Sequence, residues 1–219
     1  MRKLRILSLH GYHGSATTLR SQMRPLAQGL ERLADFVCVD APSLAIGDFG
    51  WWHAREMRPA GVSPARMRYD GWSNTKKWLI SLFRHSPPFD GVFGFSQGAI
   101  LTSLLVGLRD PCEAQDKISF DFALMVGGFK SNDEDHAYLY QRRSEYRLPS
   151  VHIIGQSDSV VPSNQSERLA GFFENPLVLL HSGGHVIPGH PQVRDSVVAF
   201  LQERARAAEL ADGSARRDI

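Results

Sequence analysis

Cysteine is scarce in this chain of 219 residues: Cys38 and Cys112 are the only two, far apart and outside any Cys-x-x-Cys spacing. That excludes a disulfide framework and a thiolate metal site, and favours a reducing, cytoplasmic setting. Long apolar runs are absent too. Met1-Arg2-Lys3 leads directly into Leu4-Arg5-Ile6-Leu7-Ser8-Leu9, too short and too charged for a signal-peptide core, and no stretch reaches the length of a membrane span. Charge of one sign is not concentrated anywhere. The 25 basic and 23 acidic residues leave a net charge of +2, and basic clusters stop at pairs such as Lys76-Lys77, Arg142-Arg143 and Arg216-Arg217. A nucleic-acid partner is therefore not expected. Repeats and linkers are missing as well, so the chain reads as one domain over residues 1–208 with a polar tail over 209–219.

What is present is an alternation of short apolar runs and helical periods. Leu4 to Leu9 reads as a strand that ends at His10-Gly11. Thr17 or Thr18 is placed to cap a helix carrying Leu19, Met23, Leu26, Leu30 and Leu33, and Phe36 to Asp40 reads as a second strand. Further strands are expected at the run before Ser96, at Phe120–Val126, Leu148–Gly155 and Leu177–Leu180, with helices over Trp72–Phe83, Ala99–Val106 and Pro191–Ala208. This order predicts an α/β fold, a mostly parallel sheet with helices on both faces. Residues 43–70 interrupt it. They hold glycine, proline and the aromatics Phe49, Trp51, Trp52 and Tyr69 without a clear period, the pattern of a lid-like insertion or of an aromatic roof on the core. Asn132–Arg147, charged and rich in tyrosine, is expected to be a solvated helix or a second cap piece.

Gly94-Phe95-Ser96-Gln97-Gly98 is Gly-x-Ser-x-Gly between a strand and a helix. Such a sharp turn strains the serine backbone and pushes its hydroxyl out at the sheet end, while the glycines let strand and helix approach. A serine hydroxyl is a poor nucleophile unless a base takes its proton and a carboxylate orients the base. Both appear in the order this architecture requires: Asp158 just past one strand and His185 just past the next, after Gly183-Gly184. An oxyanion hole needs two N–H groups, assigned to Gln97 at the start of the helix and to Tyr12 in the loop after the first strand. His10 reads as a structural loop residue.

Other histidines carry no such pattern. His181, His185 and His190 sit in a Gly/Pro loop with no carboxylate or thiolate at ligand spacing, so no metal and no cofactor is expected. Gly127-Gly128-Phe129-Lys130-Ser131 is superficially like a phosphate loop, but the Gly-Lys-Ser/Thr order is missing, and that reading is rejected. Phe95, Phe129, Val161, Trp51 and Trp52 are candidates for an apolar acyl pocket, with core packing as the competing role.

Four motifs together, Leu9-His10-Gly11-Tyr12, Gly94 to Ala99, Gly155-x-x-Asp158-x-x-Val161-Pro162 and His181-x-Gly183-Gly184-His185-x-x-Pro188, resemble the FSH family of small serine hydrolases. The resemblance spans about residues 4–203. It implies an α/β-hydrolase fold, a triad of Ser96, Asp158 and His185, and small-molecule acyl ester or thioester substrates. The resulting expectation is a carboxylesterase working through an acyl-enzyme. The competing readings are a thioesterase or acyltransferase on carrier-bound or coenzyme A-linked acyl groups, and a noncatalytic ligand-binding protein of the same fold.

Overall fold

The structure, a computed structural model, describes residues 2–43, 50–57, 67–109, 118–142 and 144–215. Its centre is a six-stranded sheet built from β1 (Leu4–Leu9), β2 (Ala34–Val39), β5 (Gly91–Phe95), β6 (Phe122–Val126), β7 (Ser150–Gly155) and β8 (Leu177–His181). The spatial order is β2-β1-β5-β6-β7-β8, and every neighbouring pair is parallel. Parallel pairing follows from the helical crossovers between the strands.

Strand side chains sort by period two onto two cores. Leu4, Ile6, Phe93, Phe122, Leu124, Val151 and Ile153 meet Leu19, Met23 and Leu26 of α1 (Ala16–Ala27) and Val193, Val197 and Leu201 of α6 (Pro191–Ala215). Leu7, Leu9, Val92, Ala123 and Met125 meet α2 (Trp72–His85), α3 (Gln97–Leu108) and Leu169 of α5 (Ser163–Ala170). α3 is buried along nearly its whole length, as its largely apolar sequence requires.

Several elements differ from the sequence reading. The cap of α1 is Ser15, whose Oγ accepts from Thr18 N–H at 3.1 Å, rather than either threonine. Within 43–70 the chain forms an antiparallel hairpin, β3 (His53–Glu56) with β4 (Met67–Asp70). Its strands are short and charged, and Arg55 pairs with Asp70 at 3.1 Å, so no apolar alternation announced them. Residues 44–49 and 58–66 of that insertion, Phe49 among them, lie outside the described residues, as does Cys112. Asn132–Arg147 holds a short helix, α4 (Ala137–Gln141), and its Leu139, Tyr140 and Tyr146 are buried instead of solvated. Burial is tolerated because both phenols are paired: Tyr140 Oη meets Ser103 Oγ at 2.8 Å, and Tyr146 Oη donates to Ser103 O at 3.0 Å. Finally, α6 continues to Ala215, past the tail boundary expected at residue 208, and Glu209 on it accepts from Arg2 N–H at 2.8 Å.

From β1 the chain winds outward to β2 on one side and to β5 on the other, so the order reverses between β1 and β5. A crevice forms at the carboxyl ends of two such strands, because their following loops part in opposite directions. The loops leaving β1 and β5 carry Tyr12 and Ser96.

Candidate active site

Ser96 lies between β5 and α3 at φ 55° and ψ −119°, the left-handed side of backbone space that side chains other than glycine rarely adopt. The neighbouring glycines make that geometry possible. A Cβ on Gly94 would stand 2.2 Å from Gly98 O, and one on Gly98 would stand 2.1 Å from Leu9 O. The turn is tied to the sheet by the Ser96 N–H, which donates to Val126 O at 2.9 Å. Gln97 follows as the first residue of α3, where a helix has backbone N–H groups without intrahelical acceptors.

The loop after β1 comes against this turn, with the Gly11 Cβ position only 3.1 Å from Ser96 Cβ. Gly11 O accepts from Gly14 N–H at 3.0 Å and from His10 Nδ1–H at 2.7 Å. His10 Nε2 accepts from Ala41 N–H at 3.1 Å, which leaves the proton on Nδ1. Burial lowers the His10 pKa, and with both ring nitrogens engaged it is a structural group rather than a base. A trans peptide sets N–H opposite C=O, so anchoring Gly11 O directs the Tyr12 N–H out of the turn. His13, at φ 56°, absorbs the strain of that turn.

Asp158 and His185 are brought together. Asp158 Oδ2 lies 2.7 Å from His185 Nδ1, and Oδ1 accepts from the Val160 and Val161 N–H groups at 2.9 and 2.8 Å. Burial alone would raise the Asp158 pKa, but the Val161, His185 and Val160 hydrogen bonds and the His185 charge together bring it below its ordinary value. The carboxylate is thus held ionised against the imidazole, whose side chain keeps 16% exposure beside 2% for Asp158. His185 also packs at 4.9 Å, centroid to centroid, on Phe95, and its Cε1 lies 3.0 Å from the Cβ position of Gly127. Gly127 follows Val126, the acceptor for Ser96 N–H, so the imidazole and the serine share one end of the sheet.

The family described as serine hydrolase (FSH1) matches residues 1–197. The chain belongs to the FSH1 serine hydrolase family. Among similar proteins, the protein named esterase OVCA2 of Xenopus tropicalis is 34% identical over 204 residues, 85% of this chain and 87% of that protein. The human protein of the same name is 30% identical over 226 residues, covering 93% of this chain and 98% of that one. Among solved structures, acyl-protein thioesterase 2 of Zea mays superposes with a TM-score of 0.62 at 21% identity, covering 93% of this chain and 94% of that one. Esterase PE8 superposes with a TM-score of 0.63 at 22% identity, over 92% of both chains. These likenesses show the α/β-hydrolase fold.

In this FSH1 hydrolase the five residues considered for an acyl pocket are not equivalent. Trp51 and Trp52 are 1% and 3% exposed and belong to the core under the insertion. Trp51 stacks on His10 at 4.8 Å and donates from Nε1 to His10 O at 2.8 Å, while Trp52 stacks on Tyr69 at 4.7 Å. Trp51 thereby braces the Tyr12 loop, and both present almost no surface to a ligand. Val161 is buried and serves Asp158 through its N–H, and Phe95 supports the imidazole from beneath. Phe129 is half-buried and lines a cleft.

Three functional contributions escaped the sequence. The Gln97 side chain bonds the backbone of Trp51 and Trp52, the Val160 and Val161 amides hold Asp158, and Gly127, at φ 57°, leaves room for His185. Gly127-Gly128 at a strand end was the available signal for the last. The first two depend on side-chain and amide directions that residue order does not encode. Among the described residues no group of histidine, cysteine and carboxylate side chains could hold a metal ion, and no helix is long and apolar enough to cross a membrane.

Proposed function

We propose that this FSH1 hydrolase cleaves carboxylic esters through an acyl-enzyme formed on Ser96. His185 Nε2 takes the Ser96 proton as Oγ attacks the acyl carbonyl. The oxyanion is met by the Tyr12 and Gln97 N–H groups, and the start of α3 adds its dipole. His185 returns the proton to the leaving alcohol and then activates water, while Asp158 fixes the imidazole tautomer and stabilises the imidazolium. The observation that carries this reading is the 2.7 Å bond from His185 Nδ1 to Asp158 Oδ2, which leaves Nε2 as the ring nitrogen for chemistry. The names of the curated relatives, esterases, favour an ester substrate over a thioester. The unpaired Cys38 thiol accords with a reducing, cytoplasmic setting.

The test is labelling with a fluorophosphonate, followed by peptide mass spectrometry, beside turnover of p-nitrophenyl esters and matched acyl thioesters. Modification of Ser96 with ester turnover is the expected result. Folded protein that is neither modified nor active would overturn the proposal, and faster thioester turnover would reassign the substrate class.

A further inference from the structure

Beyond the catalytic groups, one cleft combines features that call for a ligand. It has a volume of about 480 Å³ and is lined by Phe129, Lys130, Asn132, Gln165, Arg168 and Phe172. Lys130 Nζ stands over the rings of Tyr140 at 5.4 Å and Phe172 at 5.7 Å, within the range of cation–π attraction. The Tyr140 ring is fixed by its hydroxyl, which accepts from Ser131 N–H at 3.0 Å and meets Ser103 Oγ at 2.8 Å, so the ammonium group rests on a rigid platform.

The second cation, Arg168, comes from α5. Among the described residues no carboxylate lines the cleft, and neither Lys130 nor Arg168 has an acidic partner. Some arginines elsewhere on the surface have carboxylate partners: Arg2 with Asp90, Arg55 with Asp70, Arg147 with Glu174. Two unneutralised cations in one concavity repel each other and are relieved by an anion between them. Asn132 and Gln165 add neutral donors, and Phe129 and Phe172 offer apolar cover for a carbon spacer.

The cleft is built onto the catalytic end of the sheet. Lys130 is three residues from Gly127, which abuts His185, so their backbones are at most about 11 Å apart. Ser166 Oγ donates to Gly128 O at 2.7 Å and locks α5 to the same loop.

We propose that this cleft is a substrate subsite for an anionic group, a carboxylate or phosphate carried on a chain of several carbons from the ester that Ser96 attacks. The assignment rests on Ser96 as nucleophile and gives its substrate class: amphiphilic esters with a negative terminus. The anion belongs either to the acyl chain or to the leaving alcohol.

Two matched pairs separate these sources: p-nitrophenyl octanoate against p-nitrophenyl hemisuberate, and octanoyl glycerol against octanoyl glycerol phosphate. Wild type, Lys130→Met and Arg168→Gln are compared by kcat/KM. In at least one pair the wild type prefers the anionic ester, and each variant lowers that preference by about tenfold while the neutral rate stays within about twofold. The responding pair shows which side of the ester carries the charge. Equal anionic-to-neutral ratios in wild type and variants, in both pairs, overturn the subsite. A readout independent of turnover is calorimetric binding of octyl phosphate to Ser96→Ala protein with and without the cleft substitutions. Loss of binding by about tenfold supports the subsite, and unchanged binding overturns it. Failure of all four esters to turn over would count against the nucleophile, and the calorimetry would still decide the cleft.

Discussion

The backbone N–H of Trp51 donates to Gln97 Oε1 at 2.9 Å, across 46 positions of sequence. Gln97 Nε2 returns a bond to Trp52 O at 2.9 Å, so one side-chain amide closes the insertion onto the residue that follows Ser96. Thr75 Oγ1 takes up Trp51 O at 2.5 Å, completing the backbone pairing of a buried turn. The insertion therefore acts on the site as a brace for the elbow.

Gln97→Met removes both bonds but keeps the volume. It strands a buried N–H and a buried C=O, a loss of about 2–4 kcal/mol. A lower melting temperature together with reduced ester kcat is the expected pattern. If both stay at wild-type values, the brace has no energetic weight.

Ser96→Ala should fold with a melting temperature close to wild type, since it removes one half-buried hydroxyl and keeps the backbone geometry. Ester turnover should fall by at least about 10³-fold. Residual activity within tenfold of wild type would exclude Ser96 as nucleophile.

Two glycine substitutions should part company. In Gly94→Ala the new methyl meets Gly98 backbone at 2.2 Å, where nothing flexible can give way, and destabilisation by about 3 kcal/mol or more is expected. In Gly11→Ala the nearest atom is Ser96 Cβ at 3.1 Å, so the fold should survive with Ser96 displaced by tenths of an ångström. Its kcat should drop by about 10- to 100-fold. Thermal unfolding and kinetics on both variants separate a structural role from a catalytic one.

Acid should destabilise the protein through His152. Burial on β7 against Phe173 pushes its pKa down to about 3, so it is neutral in the fold. An unfolded histidine takes a proton near pH 6.5. The unfolded state therefore binds more protons between these values, and stability falls as pH drops from about 6.5 toward 3, by roughly 4 kcal/mol in all. The lowered values of His10, His136 and His181, each set first by burial, add in the same direction. His152→Leu should flatten this slope in denaturant unfolding measured between pH 7 and 4; a slope equal to wild type would assign the acid sensitivity to other groups.

Asp158 sets a different limit. Its pKa lies below the ordinary carboxylate value because hydrogen bonds outweigh burial, so its contribution to stability is present above about pH 4 and is lost as pH falls through the lowered value. Asp158→Asn should cut kcat by about 10²- to 10⁴-fold at neutral pH while the protein stays folded, a result read by steady-state kinetics beside circular dichroism.

What the sequence determined by itself was local. The apolar runs and helical periods settled the parallel α/β layering, because period two and period 3.6 are properties of neighbouring residues. Gly94-x-Ser96-x-Gly98 carried the elbow for the same reason: its close approaches lie within five residues of chain and against the adjacent β1. Asp158 and His185 were legible as loop residues after successive strands, since chain order in a parallel sheet maps onto position along its edge.

Only the tertiary structure decided what those elements do to one another. The insertion holding Trp51 and Trp52 reads as either lid or roof, and which it is depends on the Gln97 amide reaching it from 46 positions away. The charged strands β3 and β4 pair through Asp70, and Tyr140 and Tyr146 go inside because Ser103 and Ser131 satisfy them. Lys130 and Arg168 line one cleft because α5 is held on the loop after β6, by the Ser166 bond to Gly128 and by Leu169 packed beside it. Side-chain direction and long-range partners settle these matters, and neither is a property of any local stretch of sequence.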